Sequence, residues 1–161
     1  MAKRILIALI LLLAASGYGA AQDLVLSEGQ YYTDESQTTL YTGRYTEFYP
    51  DGMLKMELFL KDGRPEGTYV IYYPDGKIAE VRSYYKGLFH GIWRTYNEEG
   101  RLVAEAAYKD GLKDGRWRIW DDKGRLLFEM FYTKGRKSGI WRSWNAKGKL
   151  LTETDYDPKK K

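Results

Sequence analysis

The sequence predicts an all-β fold, an elongated solenoid of stacked antiparallel β-hairpins made of about five 24-residue repeats. Three observations predict it: glycines that recur every 24 residues, turn-forming residues before a second glycine set, and short segments rich in Tyr and Trp that favour strands over helices. The first glycine set is Gly43, Gly67, Gly91, Gly115 and Gly139, and the second is Gly52, Gly76, Gly100, Gly124 and Gly148. One such unit cannot bury its own apolar face, so neighbouring units must stack.

Residues 1–21 have the layout of a cleavable signal peptide. Lys3 and Arg4 precede an uncharged apolar run, residues 5–15, and small residues follow as far as Ala21, after which we expect cleavage. The apolar run is about half of the roughly 20 residues that a spanning helix needs, so a membrane anchor is the weaker interpretation. Cleavage removes two cations and lowers the formal charge from +4 to +2. We therefore expect an exported protein, either periplasmic or extracellular and associated with the outer membrane.

The rest of the chain divides by the repeat period. Residues 22–42 are a lead-in that we expect to cap the first hairpin, because the end of a repeat array must protect an exposed sheet edge. The repeats are 43–66, 67–90, 91–114, 115–138 and 139–156, and a basic tail, 157–161, follows. The nearly balanced charge and the even spread of cations argue against nucleic acid as a partner.

Each repeat predicts two strands joined by a type I turn. Tyr49-Pro50-Asp51-Gly52 has proline second and glycine fourth, where glycine takes the left-handed conformation. The second strand alternates most regularly in the fourth repeat, in which Leu126, Phe128, Met130 and Tyr132 share one face. We expect that face to be core.

The first strand of each repeat carries two aromatic columns of opposite parity, which therefore point to opposite faces. The first column is Tyr45, Tyr69, Trp93, Trp117 and Trp141, and the second is Phe48, Tyr72, Tyr96, Trp120 and Trp144. We expect one column to be core and the other to be partly exposed, because stacked rings bury large areas.

A cross-strand ion pair is predicted beside the second column. If the hairpin register pairs Arg94 with Glu105, the same offset gives two further pairs, Arg118 with Glu129 and Arg142 with Glu153. Each exposed pair is worth about 0.2 to 1 kcal/mol. The second repeat departs from this pattern at Glu80-Val81, and we assign it no such pair.

The unit resembles the bacterial variant of the MORN repeat, as found in the proteins labelled YwqK-family antitoxins. The residues that carry the resemblance are clearest from Gly91 to Asp114, which read G-I-W-R-T-Y-N-E-E-G-R-L-V-A-E-A-A-Y-K-D-G-L-K-D. It covers residues 24 to 156. The resemblance implies a β-hairpin solenoid with a recognition or scaffold role, for which membrane lipid or protein is the usual suggested partner.

No catalytic set, metal motif or cofactor loop stands out. The chain has no cysteine, which excludes disulfides, a thiol nucleophile and thiolate ligands. His90 is the only histidine, and its equivalents are Glu66, Asp114 and Ser138, which indicates a polar turn residue rather than a general base. No G-x-x-x-x-G-K-[ST] loop occurs, and the acidic turns do not follow the EF-hand pattern. We therefore expect a non-enzymatic protein with no cofactor and no metal.

A candidate partner-binding face follows from the second column and the neighbouring arginines, since Tyr, Trp and Arg are the usual interface anchors. Its residues are Tyr72, Tyr96, Trp120, Trp144, Arg94, Arg118 and Arg142. The favoured function is an exported protein-binding or scaffold module whose partner is an envelope protein.

Several alternatives stay open. The column could instead pack against the sheet's second face or a neighbouring protomer. The surface could bind glycans or anionic lipid head groups, or the protein could act as an antitoxin or immunity-type binding protein. An enzyme that uses scattered carboxylates is the least favoured class. An open sheet edge would allow a homo-oligomer by edge-strand pairing.

Overall fold

The computed structural model describes residues 24–157, so the predicted signal peptide and the terminal lysines lie outside the described residues. The all-β stack of antiparallel hairpins is confirmed. The strands are β1 (Val25–Ser27), β2 (Gln30–Tyr32), β3 (Gly43–Phe48), β4 (Leu54–Lys61), β5 (Arg64–Tyr72), β6 (Ile78–Tyr85), β7 (Leu88–Phe89), β8 (Gly91–Tyr96), β9 (Leu102–Lys109), β10 (Leu112–Lys113), β11 (Gly115–Trp120), β12 (Leu126–Thr133), β13 (Arg136–Trp144) and β14 (Leu150–Asp155).

One open antiparallel sheet contains all strands after β2. The order is β3-β4-β5-β6-β8-β9-β11-β12-β13-β14, with β7 on β6 and β10 on β9. At about 4.8 Å between neighbours, the ten strands of this path extend for about 43 Å. β1 and β2 form a separate hairpin. Among residues 24–157, no helix has the length and apolar character to cross a membrane.

The predicted type I turns lie at one end of the hairpins. The N–H of Gly52 donates to the carbonyl of Tyr49 at 2.9 Å, and Gly52 has a φ of +87°, in the left-handed region. The same bond and a positive φ recur at the four later turn glycines. Because the turn length is fixed, the register within each hairpin is fixed as well.

The opposite ends of the strands carry two-residue turns, a type that the sequence analysis did not identify. Asp62 and Gly63 have φ values of +49° and +70°, and Lys61 pairs with Arg64 across them. Two consecutive left-handed residues match the twist of the flanking strands. The equivalent turns are Lys86-Gly87, Asp110-Gly111 and Lys134-Gly135.

These two-residue turns are bonded to the preceding unit. The polar position that contains His90 supplies an acceptor for the first N–H of the next turn. The bonds run from Lys86 N to Glu66 Oε2 at 2.6 Å, from Asp110 N to His90 Nδ1 at 3.5 Å, and from Lys134 N to Asp114 Oδ2 at 3.0 Å. Glu66, His90 and Asp114, which are equivalent in the repeat, therefore all act as hydrogen-bond acceptors.

The lead-in packs on the first hairpins. Tyr31 and Tyr41 lie against Met56, Leu58 and Leu60, whose exposed fractions are 8%, 4% and 0%. Backbone bonds link this segment to the first two-residue turn: Tyr31 N donates to Gly63 O, and Gly63 N donates to Tyr41 O, both at 2.8 Å. The compact core of the described chain therefore lies at its N-terminal end.

The expectation of a buried face in the fourth repeat is wrong. Phe128 is 43% exposed, and Leu126, Met130 and Tyr132 are only half-buried. Neither aromatic column is fully buried in residues 24–157; beyond β4 the one buried hydrophobic residue described is Ala107. The reason is that a single sheet has no second layer to cover either face, so side chains are shielded only by their lateral neighbours.

Candidate partner-binding face

The strand register separates the two aromatic columns, as predicted. In the pair β11 and β12, Trp117 lies opposite Met130 on one face, and Arg118 lies opposite Glu129 on the other. We call the side of Trp93, Trp117 and Trp141 the ladder face, and the side of Arg94, Arg118 and Arg142 the arginine face. The three predicted cross-strand pairs are present in the register, Arg94 with Glu105, Arg118 with Glu129, and Arg142 with Glu153. The first and third are also ion pairs, but the predicted ion pair of Arg118 with Glu129 is wrong, because Arg118 binds Glu105 of the preceding unit instead.

The ladder face is a continuous row of rings from successive units. Tryptophans of the first strands alternate with tyrosines of the second strands. The centroid separations are 4.7 Å for Trp93–Tyr108, 5.1 Å for Tyr108–Trp117, 5.4 Å for Trp117–Tyr132, 5.1 Å for Tyr132–Trp141 and 4.8 Å for Trp141–Tyr156. Rings at these distances gain about 0.5 to 1.5 kcal/mol per pair beyond the area they bury.

The tryptophans of the ladder face also use their indole donors. Trp93 Nε1 donates to Ser83 O at 3.0 Å, and Trp117 and Trp141 repeat the bond ten residues back, to Ala107 O at 3.0 Å and Phe131 O at 2.9 Å. Each bond joins a unit to the one before it. Lys113 Nζ lies over two rings of this row, 4.3 Å from the centroid of Trp117 and 4.9 Å from that of Tyr132. The indole donors of Trp93, Trp117 and Trp141 are therefore all used in contacts between units.

The arginine face carries a row of alternating charges across six strands, from β8 to β14. Glu105 lies between two arginines, with Arg94 Nε 3.2 Å from Oε2 and Arg118 Nη2 2.7 Å from Oε1. The row continues with Arg142, which is 3.9 Å from Glu129 and 2.8 Å from Glu153. The hydrogen bond from Arg118 lowers the pKa of Glu105 below its ordinary value of 4.5.

The first two repeats vary this row. In the second, Val81 stands opposite Val70 and Arg94, while Glu80 points to the other face and binds Arg82 at 2.6 Å, as expected from the departure of the sequence at this point. In the first, Glu57 binds Arg44 and accepts a hydrogen bond of 2.6 Å from the hydroxyl of Tyr72. That hydrogen bond lowers the pKa of Glu57 and raises the pKa of Tyr72.

All seven predicted site residues lie on the arginine face, and all seven are half-buried. The aromatic members, Tyr72, Tyr96, Trp120 and Trp144, form a row beside the charges, with the Arg118 guanidinium 5.1 Å from the Trp120 ring centroid. Unlike the three indoles of the ladder face, those of Trp120 and Trp144 donate no hydrogen bond within residues 24–157. The two columns therefore differ in their unused donors and not in burial.

Sequence reasoning missed two residues that position this row. The hydroxyls of Tyr49 and Tyr73 donate to the carbonyls of Tyr72 and Tyr96, both at 2.7 Å, and so tie each site strand to the turn of the previous unit. Their recurrence in two Tyr-Pro-Asp-Gly turns was the available signal.

The described residues offer a surface rather than an enclosed chemical site. In residues 24–157, no three His, Asp or Glu side chains are grouped so as to hold a metal ion. A cavity of about 480 Å³ lies among the two-residue turns, lined by both cations and anions such as Arg64, Lys86, Asp62 and Glu66, and none of the seven site residues lines it.

Comparison with known proteins identifies the repeat. Three segments, residues 41–62, 65–86 and 89–110, match the family described as MORN repeat variant. They correspond to the first three of the five predicted repeats, and the strands and turns of the last two have the same arrangement. The finer resemblance to YwqK-family antitoxins receives no support from these matches.

No curated protein matches the chain. Among the solved structures that match is the crystal structure of accessory secretory protein 1,2 and 3 in Streptococcus pneumoniae. It is 14% identical with a TM-score of 0.37, and the match covers 76% of this chain and 23% of that chain. A likeness of this size gives no information on function.

Proposed function

We propose that this repeat protein with MORN motifs is exported and acts, without catalysis, as a protein-binding or scaffold module in the cell envelope. Its binding surface is the arginine face. The observation that carries the proposal is the unused indole donors of Trp120 and Trp144 in the described chain, beside ladder-face tryptophans whose donors are all bonded. An aromatic ring with a free donor suits contact with a partner.

The charge row adds selectivity to this surface. Its arginines already have glutamate neighbours, so they offer a partner a fixed alternation of charge rather than a general attraction for anions. A partner with the complementary alternation would bind in one register, and the aromatic row beside it would contribute most of the affinity.

The export half of the proposal is supported by the N-terminal sequence, with its two cations, apolar run and small residues before position 22. Neutralising an exported protein, as an antitoxin or immunity-type protein would, is one form that such binding could take.

The test is affinity capture from an envelope extract, with the retained proteins identified by mass spectrometry. The double variant Trp120→Ala, Trp144→Ala removes both free indoles. A matched control, Ile119→Ala with Phe128→Ala, removes two apolar side chains of the ladder face that are 39% and 43% exposed. Far-UV circular dichroism verifies that each variant is folded. We expect a protein that the wild type and the control retain and that the tryptophan variant loses.

Equal retention by all three proteins would show that the arginine face is not the site. Retention on purified cell wall or on anionic liposomes, with no protein captured, would favour the glycan- or lipid-binding alternative.

A further inference from the structure

Within residues 24–157, the sheet ends at β14, whose outer edge is open. There, residues Leu150–Asp155 pair with β13 alone, and all six are exposed. An open edge presents unpaired N–H and carbonyl groups that can pair with another strand. Natural sheets often protect such edges with proline or charged side chains, lysine above all; β14 contains no proline or lysine, and its two charged side chains, Glu153 and Asp155, are both acidic.

The charge row is incomplete at this edge. Glu105 and Glu129 each lie between two arginines in the register, whereas among the described residues Glu153 has Arg142 alone. The side chain of Glu153 is correspondingly 49% exposed, against 14% for Glu105 and 19% for Glu129. The position that a second cation would fill is the outer side of β14.

We propose that the edge of β14 binds an extended segment of another polypeptide as an added antiparallel strand, with a lysine or arginine opposite Glu153. The template is β13 on β12, where Arg142 lies opposite Glu129 and Ser143 lies opposite Phe128. Moved by one repeat, these positions are Glu153 and Thr152. The added strand completes the charge row, and an aromatic side chain two residues beyond its cation extends the row of Trp144. This inference goes beyond the proposed function, because it uses the outer edge of β14, a strand that contains none of the seven predicted site residues.

A second copy of the chain fits this edge poorly through its own β14. A two-fold pairing centred on Glu153 places two glutamates opposite each other, and one centred on Thr154 places Glu153 opposite Asp155. Like charges directly opposite are destabilising. A pairing centred on Thr152 places Glu153 opposite Leu151, which supplies no cation.

A head-to-tail contact with β3 of another copy also fails to place a cation opposite Glu153. By the repeat period, the residue of β3 opposite Glu153 is Thr46. The nearby Arg44 is already paired with Glu57, and Leu40, which precedes β3, pairs with Tyr32 of the lead-in. The open glutamate therefore favours a basic segment of a different protein.

The test uses a labelled peptide with the sequence of residues 136–144, R-K-S-G-I-W-R-S-W, as the added strand. Fluorescence anisotropy measures its binding to the purified protein. We expect Glu153→Lys, or a glutamate in the peptide at the position of Arg142, to weaken binding about fivefold or more, and the two changes together to restore it. Glu99→Lys, at an exposed turn, makes the same change of charge away from the edge and is the matched control.

Hydrogen exchange locates the bound strand. We expect the peptide to slow exchange of amides in Leu150–Asp155. We expect the Trp120→Ala variant, which changes the arginine face at β11 and away from the edge, to bind the peptide as the wild type does, so that failure of the proposed function leaves this result unchanged. Absence of binding, equal weakening by Glu99→Lys, or protection elsewhere would each overturn the proposal. Sedimentation of the protein alone should show a monomer; association that depends on β14 would assign the edge to a second copy instead.

Discussion

Replacing Trp117 by phenylalanine tests whether its indole N–H stabilises the fold, in contrast to the indoles of Trp120 and Trp144. The phenyl ring can keep its place between Tyr108 and Tyr132, whose centroids are 5.1 and 5.4 Å from that of Trp117. The substitution removes the indole N–H that donates to Ala107 O at 3.0 Å. Trp120→Phe is the matched variant, because within the described chain that indole donates no hydrogen bond.

The expected loss for Trp117→Phe is about 1.5 to 3 kcal/mol in the free energy of unfolding. The hydrogen bond contributes about 1 kcal/mol. The carbonyl of Ala107 is not left unpaired, because Asp114 N still donates to it at 3.0 Å, so no further desolvation cost is added. A weaker interaction with Lys113, which is 4.3 Å from the ring centroid, removes about 0.5 kcal/mol more, and the smaller ring accounts for the rest. Trp120→Phe removes no such hydrogen bond, so its loss in the free energy of unfolding should be smaller by about 1 kcal/mol.

Urea denaturation followed by far-UV circular dichroism measures this difference. We expect Trp117→Phe to be less stable than Trp120→Phe by about 1 kcal/mol, or about 2–4 °C in Tm for a chain of 161 residues. Equal losses, or a larger loss at Trp120, would refute the assignment of structural and free indoles.

Three further predictions concern the turns, the charge row and export. Gly63→Ala should destabilise the fold far more than Gly100→Ala. A Cβ at Gly63 would lie 2.9 Å from the backbone oxygen of Tyr31, which cannot move aside as a flexible side chain can. Gly100 has free space, and its alanine variant bears only the left-handed strain of about 1 to 2 kcal/mol; thermal unfolding compares the two variants. Glu105→Gln should be less stable than the wild type near pH 7, because the pKa of Glu105 is lower in the folded than in the unfolded chain and its charged form therefore stabilises the fold. Protonation removes this stabilisation, so the difference in the free energy of unfolding should narrow as the pH falls below 4.5. Urea titrations from pH 7 to pH 3 measure it, and a constant difference would contradict this account. Mass spectrometry of the protein from the exporting host should show cleavage after Ala21, and an intact N-terminus would contradict the predicted signal peptide.

Much of the site could be derived from single hairpins. Gly100 fixes a turn of set length, and this length decides that Arg94 meets Glu105 and that Trp93 and Tyr96 point to opposite faces. Every element of that argument lies within 24 residues, so local sequence was sufficient. The position of His90 was likewise predicted to be a polar turn residue, although its acceptor role toward Asp110 was not.

Burial was the property that sequence reasoning predicted wrongly. The alternation of Leu126, Phe128 and Met130 indicates a covered face, but coverage depends on what packs above the sheet. Over most of the described chain nothing does, and the enclosed cluster forms only where the lead-in lies on Leu58 and Leu60. Periodicity reports which residues share a face and contains no information on a second layer.

The repeat period, the turns, the pairing within hairpins and the composition of each face thus follow from the residues themselves, because each depends on atoms close together in the chain. The hydrogen bonds between units could be identified only in the folded sheet. Which tryptophans use their donors depends on the carbonyl that the neighbouring hairpin presents, as Ala107 does for Trp117. The incomplete charge row at Glu153 likewise becomes visible only once the strands are placed in order and β14 is found at the edge.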